Sequence, residues 1–349
     1  MYLIKLKLIP ILYSLSWIFK YLIYYSNAKY IEINDFDTFE KNLNNCKSNG
    51  NLDFLVKKNI TVVRQIELKC NKNASVNIMG SDNHIFINQN FKKESVKNYM
   101  INILDIGGLY IQNVNINGNI NIEEGENIKL KNITMMGDTS LKNINKEVTI
   151  DNVHFKINNE VTDGHAITFY KTKTSFISNC IFDTSTKVNQ VIQVEDCNNI
   201  KFYNIKMNGS LNKMTTQPIL HRAIAIRSSN CELKNVEMHS FGNVWSKYME
   251  NINYSYLNGY MISCVDSVVT IWNIKIYNGY GTNVEPITIN NGSSFMINDS
   301  TLTDLYSTSD KSIISNNGSL EMNGCKIINN NYDKMIFNNL LSKNGYMIK

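Results

Sequence analysis

The sequence predicts an all-β chain wound as a parallel β-helix solenoid of three short strands per coil and about 12 coils, with a short helix capping its N-terminal end. Three observations predict it. A six-residue phrase, apolar-polar-Asn-apolar-polar-apolar, recurs as IQNVNI (111–116), LKNITM (130–135), IDNVHF (150–155), ISNCIF (177–182), FYNIKM (202–207), LKNVEM (233–238) and IWNIKI (271–276), then in weakened form as INDSTL (297–302) and MNGCKI (322–327). The third positions, Asn113, Asn132, Asn152, Asn179, Asn204, Asn235, Asn273, Asp299 and Gly324, follow one another by 19, 20, 27, 25, 31, 38, 26 and 25 residues. A floor near 20 with insertions above it marks stacked coils and not a repeat of fixed length. Between the phrases the chain alternates with period two, in HAITF (165–169), VIQV (191–194), AIAI (223–226) and PITI (286–289), which excludes helical repeats.

The first 28 residues read as a leader and not as fold. Lys5 and Lys7 precede an apolar run from Leu8 to Phe19, and Ser26-Asn27-Ala28 sets small residues at −3 and −1 of a cleavage point, the pattern of a secretory signal peptide over 1–28. Lys20 interrupts the run short of the ~20 apolar residues that a membrane span needs. The expectation is secretion to the medium or cell surface with no stable membrane span after cleavage. Loss of Lys5, Lys7 and Lys20 lowers the net charge from +5 to +2, so no charge excess points to nucleic acid. With 43% hydrophobic and 19% charged residues in 349, the remainder is globular in type and long enough for a large core.

Residues 29–59 read as an N-terminal strand and capping helix. Asp37 with Glu40 three residues on is a capping-box pattern, and Phe39, Leu43 and Cys46 share one helical face, so 37–46 is expected to plug the first coil. The solenoid itself is assigned to 60–349. Each coil reads as strand, polar or Gly-containing turn, second strand ending at the motif Asn, third strand and variable loop. In LKNVEM, Leu233 closes the second strand, Val236 and Met238 point inward from the third, and Asn235 makes the bend between them. Asn tolerates the left-handed backbone region that such a bend requires. Stacked about 4.8 Å apart, the motif amides of Asn113, Asn132, Asn152, Asn179, Asn204, Asn235 and Asn273 are expected to hydrogen-bond from coil to coil as an Asn ladder.

Seven cysteines cannot all pair with one another in a secreted chain. Cys180 and Cys325 fill the same slot as Val114, Ile133 and Val153 and read as buried small hydrophobes. Cys46 with Cys70, and Cys197 with Cys231, are the candidate disulfides. No Cys or His cluster has zinc spacing, and neither metal nor cofactor is expected.

Taken together, the phrase and its spacing resemble the pectin lyase-like superfamily over roughly residues 60–340. The resemblance implies a right-handed helix, and it implies no single activity, because that superfamily includes lyases, hydrolases, tailspikes and adhesins. Its polysaccharide-cleaving members work on the outer face of the first strand. With Ile167, Ile192, Ile224, Ile262 and Ile287 inward, the adjacent outward column is Thr168, Gln193, Ala225, Ser263 and Thr288, which holds no carboxylate, Lys or Arg. Asp163 and Glu195-Asp196 only faintly resemble polygalacturonase motifs, and the register separates them by eight residues. A Ca²⁺ cage or an acid/base carboxylate pair is therefore not recognisable. Glu195 and Arg227 share a slot on consecutive coils and are the candidates for catalysis, with an exposed ion pair as the simpler reading.

Aromatic residues give more support for binding. Tyr203 and Trp272 stand just before motif asparagines, and the insertion from Ser240 to Gly259 carries Trp245, Tyr248, Tyr254 and Tyr256. Flat rings on a rigid ridge suit stacking against sugars. Among eight Asn-x-Ser/Thr sequons, Asn208 and Asn253 fall in expected loops and are the expected glycosylation sites. The reading is a secreted or cell-surface β-helix, non-catalytic, acting as a structural, adhesin-like or glycan-binding module whose partner is a polysaccharide or cell-surface glycan. The alternative is a polysaccharide lyase or glycoside hydrolase acting on pectin-like polymers.

Overall fold

A computed structural model of the chain describes residues 30–48, 50–82, 84–90, 99–157, 165–184, 190–209, 222–241, 260–281, 285–307, 312–328 and 336–338. The expected leader, 1–28, lies outside these residues. Among the described residues the strands form an 18-stranded and an 11-stranded sheet. Each strand pairs in parallel with its equivalent one coil away, as Ile167 with Ile192, Ile192 with Ile224, Ile224 with Ile262 and Ile262 with Ile287. The chain is a parallel β-helix. Two parallel sheets around one apolar core fit the pectin lyase-like architecture.

Period-two alternation dictates the core. Along Gln190–Glu195 and Arg222–Arg227, Ile192, Val194, Ile224 and Ile226 are buried while Gln193 and Ala225 are partly exposed. Each fully buried Val or Ile contributes about 1.5–3 kcal/mol. Equivalent side chains stack along the axis, most closely where the Phe155 and Phe182 rings lie 4.6 Å apart and 2° from parallel.

The bends explain why the chain forms two sheets from three strands per coil. The second and third strands are one hydrogen-bonded run at several coils, Asn199–Asn208, Asn230–His239 and Val268–Gly281, folded at the motif Asn. Asn204, Asn235 and Asn273 have φ of 54°, 55° and 51°. Asp299 and Gly324 hold the same bend at 49° and 63°. Asn132 Nδ2 donates to Asn113 Oδ1 at 3.2 Å and Asn152 to Asn132 at 2.9 Å. Asn204 donates to Asn179 at 3.1 Å, Asn235 to Asn204 at 3.0 Å and Asn273 to Asn235 at 2.9 Å. The column is interrupted once, because Asn179 Nδ2 donates at 2.8 Å to Asp151 Oδ1. A carboxylate one residue before Asn152 is the stronger acceptor.

A second left-handed column, Asp105, Glu124, Asn143, Lys171, Asp196, Ser228 and Asp266, marks the bend from the first outer face to the second. These residues share no side-chain type. Their backbone N–H groups donate to the coil above, Lys171 to Glu195 O at 3.0 Å and Asp196 to Arg227 O at 3.1 Å, so the ladder of main-chain bonds holds the conformation. Without a common residue the sequence shows a polar turn here but not the column.

The N-terminal helix, α1, spans Phe36–Leu43 and runs into a 3₁₀ turn at Asn44–Lys47. It begins before the expected 37–46 because Asp35, not Asp37, is its cap: Asp35 Oδ1 accepts from Thr38 N at 2.8 Å. Glu40 completes no capping box, since it stands five residues after the cap and not three, and its carboxylate accepts from the Arg64 guanidinium. Phe36, Phe39, Leu43 and Cys46 are buried against the core. Cys46 and Cys70 form a disulfide, Cα atoms 4.8 Å apart, which ties the 3₁₀ turn to the end of strand Ile66–Lys69.

Cys197 and Cys231 do not pair; both are free, correcting the expected bridge. Cys231 is registered with Ile200, three residues beyond Cys197. Cys197 lies in the turn, where its N–H donates to Ser229 Oγ at 2.9 Å and its Sγ meets Thr172 Oγ1 at 3.3 Å. Equivalent columns thus hold Thr172, Cys197 and Ser229 on one side and Ile200 and Cys231 on the other. Burial pushes the Cys231 thiol well above its ordinary range.

Candidate functional site

The helix presents three outer faces: the 11-stranded sheet, the strand segments before the motif Asn, and the segments after it. On the first face the outward column opens at Glu67, its one charged residue among the described residues, and continues through Asn102, Asn121, Ser140, Thr168, Gln193, Ala225, Ser263 and Thr288 to Ser315. Beside it Glu195 is registered with Arg227, and Arg227 Nη1 lies 3.8 Å from Glu195 Oε1. Glu195 also accepts from Gln193 Nε2 at 3.1 Å. The arginine side chain is 64% exposed, so water screens the pair. The described neighbours of this pair along its column are Tyr170 and Val265, neither of which supplies a second acid. His165 opens strand His165–Tyr170 and is registered with Gln190.

The second face carries the aromatic residues. Tyr203, Lys234 and Trp272 occupy one outward column on three consecutive coils. Trp272 is 40% exposed. Tyr203 is half-buried, its hydroxyl donating to Glu232 Oε1 at 3.1 Å; burial first, and then this carboxylate, raise its phenol pKa. Lys201 lies 3.8 Å from the same carboxylate and 5.7 Å from the Phe176 ring centroid. Two rungs put the Tyr203 and Trp272 backbones about 10 Å apart. Trp245, Tyr248, Tyr254 and Tyr256 lie outside the described residues.

The third face brings together side chains that sequence reasoning missed. Asp183, Asn208, His239 and Tyr277 follow one another in register on four coils. His154 Nε2 lies 2.5 Å from Asp183 Oδ2, and Asn208 Nδ2 donates to Asp183 Oδ1 at 2.5 Å. His239 Nε2 meets Asn208 Oδ1 at 2.8 Å, and its Nδ1 meets Ser240 Oγ at 3.1 Å. Asn278 Nδ2 donates to Ser240 Oγ at 3.1 Å. The Tyr277 ring stacks on His239 with centroids 5.0 Å apart, and its hydroxyl donates to Glu237 Oε1 at 2.7 Å. Burial opposes ionisation of Asp183, but its bonds to Asn208 and His154 win and hold its pKa below the ordinary value. Burial lowers the pKa of His239, while burial and the Glu237 carboxylate raise Tyr277 to about 12. A signal did exist: Asp183, Asn208, His239 and Tyr277 each stand four residues after a motif Asn.

Two expected glycosylation sites fare differently. Asn253 lies outside the described residues. Asn208 is no loop acceptor: it ends strand Asn199–Asn208 with both amide atoms engaged, Nδ2 on Asp183 and Oδ1 on His239. Among the described residues no group of three or more His, Cys, Asp or Glu side chains is disposed to hold a metal ion, and no helix is long and apolar enough to cross a membrane.

No family model matches the chain, and no curated protein matches it. Similar solved structures include the catalytic domain of a GH87 α-1,3-glucanase in complex with nigerose, 10% identical, covering 90% of this chain and 68% of that one at a TM-score of 0.30. A PL6 family alginate lyase is 10% identical over 89% of this chain and 53% of its own, with a TM-score of 0.26. A mannuronic acid specific polysaccharide family 6 lyase from human gut microbiota is 6% identical over 86% and 92%, with a TM-score of 0.27. Likenesses this distant carry neither a site nor a substrate over to this chain.

Proposed function

We propose that this chain is a secreted, glycan-binding β-helix whose second outer face is the binding surface. The observation that carries this reading is the exposure of Trp272, 40%, on a column shared with Lys234 and Tyr203. A large aromatic ring held in water on a rigid parallel sheet loses little conformational freedom on binding, and its flat face stacks against the C–H face of a pyranose. Lys234 between the rings, with Glu232 and Lys201 in the neighbouring column, supplies donors and acceptors for sugar hydroxyls. A rigid two-rung spacing fits an extended polymer better than a monosaccharide. The leader expected at 1–28, ahead of the coils, supports export to the extracellular side.

Affinity electrophoresis of the mature chain through gels containing pectin, alginate, glucan or xylan tests it. Retardation by one polymer, lost in Trp272→Ala and weakened in Tyr203→Ala, is the expected result. Migration unaffected by any polymer, or retardation unchanged in the Trp272→Ala chain, overturns it.

A further inference from the structure

The third outer face stands apart from the second, so a site there does not rest on the glycan-binding reading. We propose that Ser240, His239 and Asn278 form a hydrolytic site for carboxylic esters, in which Asn208 and Asp183 act as positioning residues for the imidazole.

Donors and acceptors along the network run in one direction. Asn278 Nδ2 donates to Ser240 Oγ, which leaves the Ser240 hydroxyl hydrogen for His239 Nδ1 at 3.1 Å. Nε2 of the same ring then carries its proton toward Asn208 Oδ1 at 2.8 Å. Asn208 can accept there only because its Nδ2 is fixed on Asp183, whose other oxygen is held by His154. The tautomer of His239 follows from this order: Nδ1 is the basic nitrogen and faces the serine. Tyr277, stacked on the ring and tied to Glu237, blocks rotation out of that orientation.

The backbone at the serine is left-handed and held by main-chain bonds from Ser240 N to Tyr277 O and Asn278 O. Ser240 has φ of 60°, and the next two coils fill the same bend with Asn278 and Asp304, at 51° and 50°. Asn and Asp are at ease there, whereas serine is not. Gly209 of the preceding coil packs so closely that a Cβ would lie 2.2 Å from Ser240 O. The bend therefore holds the hydroxyl at one place, between a base and an amide donor. Nucleophile, base and orienting group within hydrogen-bond reach of one another are the arrangement that acyl transfer requires.

In the reaction, Ser240 Oγ bonds to the ester carbonyl carbon as its proton passes to His239 Nδ1. Charge gathers on the carbonyl oxygen, beside the second hydrogen of Asn278 Nδ2. Collapse breaks the ester C–O bond, and the imidazolium returns its proton to the departing alkoxide. Water, deprotonated by His239, then displaces the acyl group and restores Ser240, so that ester and water give acid and alcohol.

A fluorophosphonate probe with peptide mapping, and p-nitrophenyl acetate hydrolysis, test the site in the full mature chain. Expected is a label on Ser240, absent in Ser240→Ala and in Ser240→Gly, which retains the left-handed bend. In His239→Gln the labelling rate falls on the order of a hundredfold or more. The acid limb of the rate against pH reports His239, which is faced by Asp183, Glu237, Lys206 and Tyr277. Asn208→Ala shifts that limb while the label stays on Ser240, an effect that a purely structural role does not produce. A native chain that takes no label at Ser240, or one labelled equally fast in His239→Gln, overturns the proposal, and mapping of the wild-type chain decides even if a variant fails to fold.

Discussion

Asn235 Nδ2 donates to Asn204 Oδ1 at 3.0 Å across 31 residues of sequence. That one bond joins two features a motif residue must supply together: a left-handed bend and an amide able both to give and to accept a hydrogen bond. Asn204 does both, giving to Asn179 and receiving from Asn235.

Substitution at Asn204 separates the two contributions. Asn204→Gly keeps the bend and loses two hydrogen bonds, about 1–3 kcal/mol. Asn204→Ala adds the left-handed penalty of about 1–2 kcal/mol. Urea denaturation should rank wild type above glycine and glycine above alanine; equal losses in the two variants contradict the role of the bend.

Core and surface aromatics should behave oppositely. Phe182→Ala removes a ring stacked on Phe155 and should cost about 3–5 kcal/mol. Trp272→Ala, at a 40% exposed site, should change stability by about 0.5 kcal/mol or less. Thermal unfolding of both variants checks the contrast, and a Trp272→Ala chain as damaged as Phe182→Ala would show that the ring is structural.

Cysteine state gives a count. The chain denatured without reductant should present five free thiols, Cys180, Cys197, Cys231, Cys264 and Cys325. Three would mean that a second bridge had formed, and peptide mapping would show whether it joins Cys197 to Cys231. In the native chain the four buried thiols should resist alkylation more than the partly exposed Cys325, because burial raises Cys180 and Cys264 to about 12. Removing the Cys46–Cys70 bridge as Cys46→Ser with Cys70→Ser should lower stability by about 2–4 kcal/mol.

Acid should weaken the third face in two stages. His239 has a folded pKa below its ordinary 6.5, so its contribution is complete above 6.5 and is lost as pH falls toward the folded value. Asp183, also depressed, contributes fully above 3.8 and loses its contribution as pH falls below that. Unfolding midpoints measured against pH should flatten in the first window for His239→Gln and in the second for Asp183→Asn. Unchanged profiles in both variants would contradict the network.

The ion pair of Glu195 and Arg227 is a surface contact. Arg227→Ala should cost less than about 1 kcal/mol, and added salt should reduce that cost further, as denaturation at low and high ionic strength would show.

The sequence by itself determined the coil. A side-chain period of two settles which residues face inward, and a residue needing positive φ must recur wherever the chain folds onto the next face, so Ile192, Val236 and Asn235 were legible without coordinates. The same register put Glu195 beside Arg227 and Tyr203 two rungs from Trp272. Tertiary structure decided what register alone leaves open. The helix started at Asp35 because the Asp35 carboxylate accepts from Thr38 N, and the Glu40 carboxylate is held by Arg64, 24 residues away. Cys197 and Cys231 stayed apart because a turn and a strand three residues later fill different columns. The line from His154 through Ser240 to Asn278 is joined across coils by residues 25 to 38 apart, whose side chains acquire partners only when coils of unequal length stack. Periodicity fixes the direction of a side chain, whereas a hydrogen bond between coils depends on where the intervening insertions return the chain.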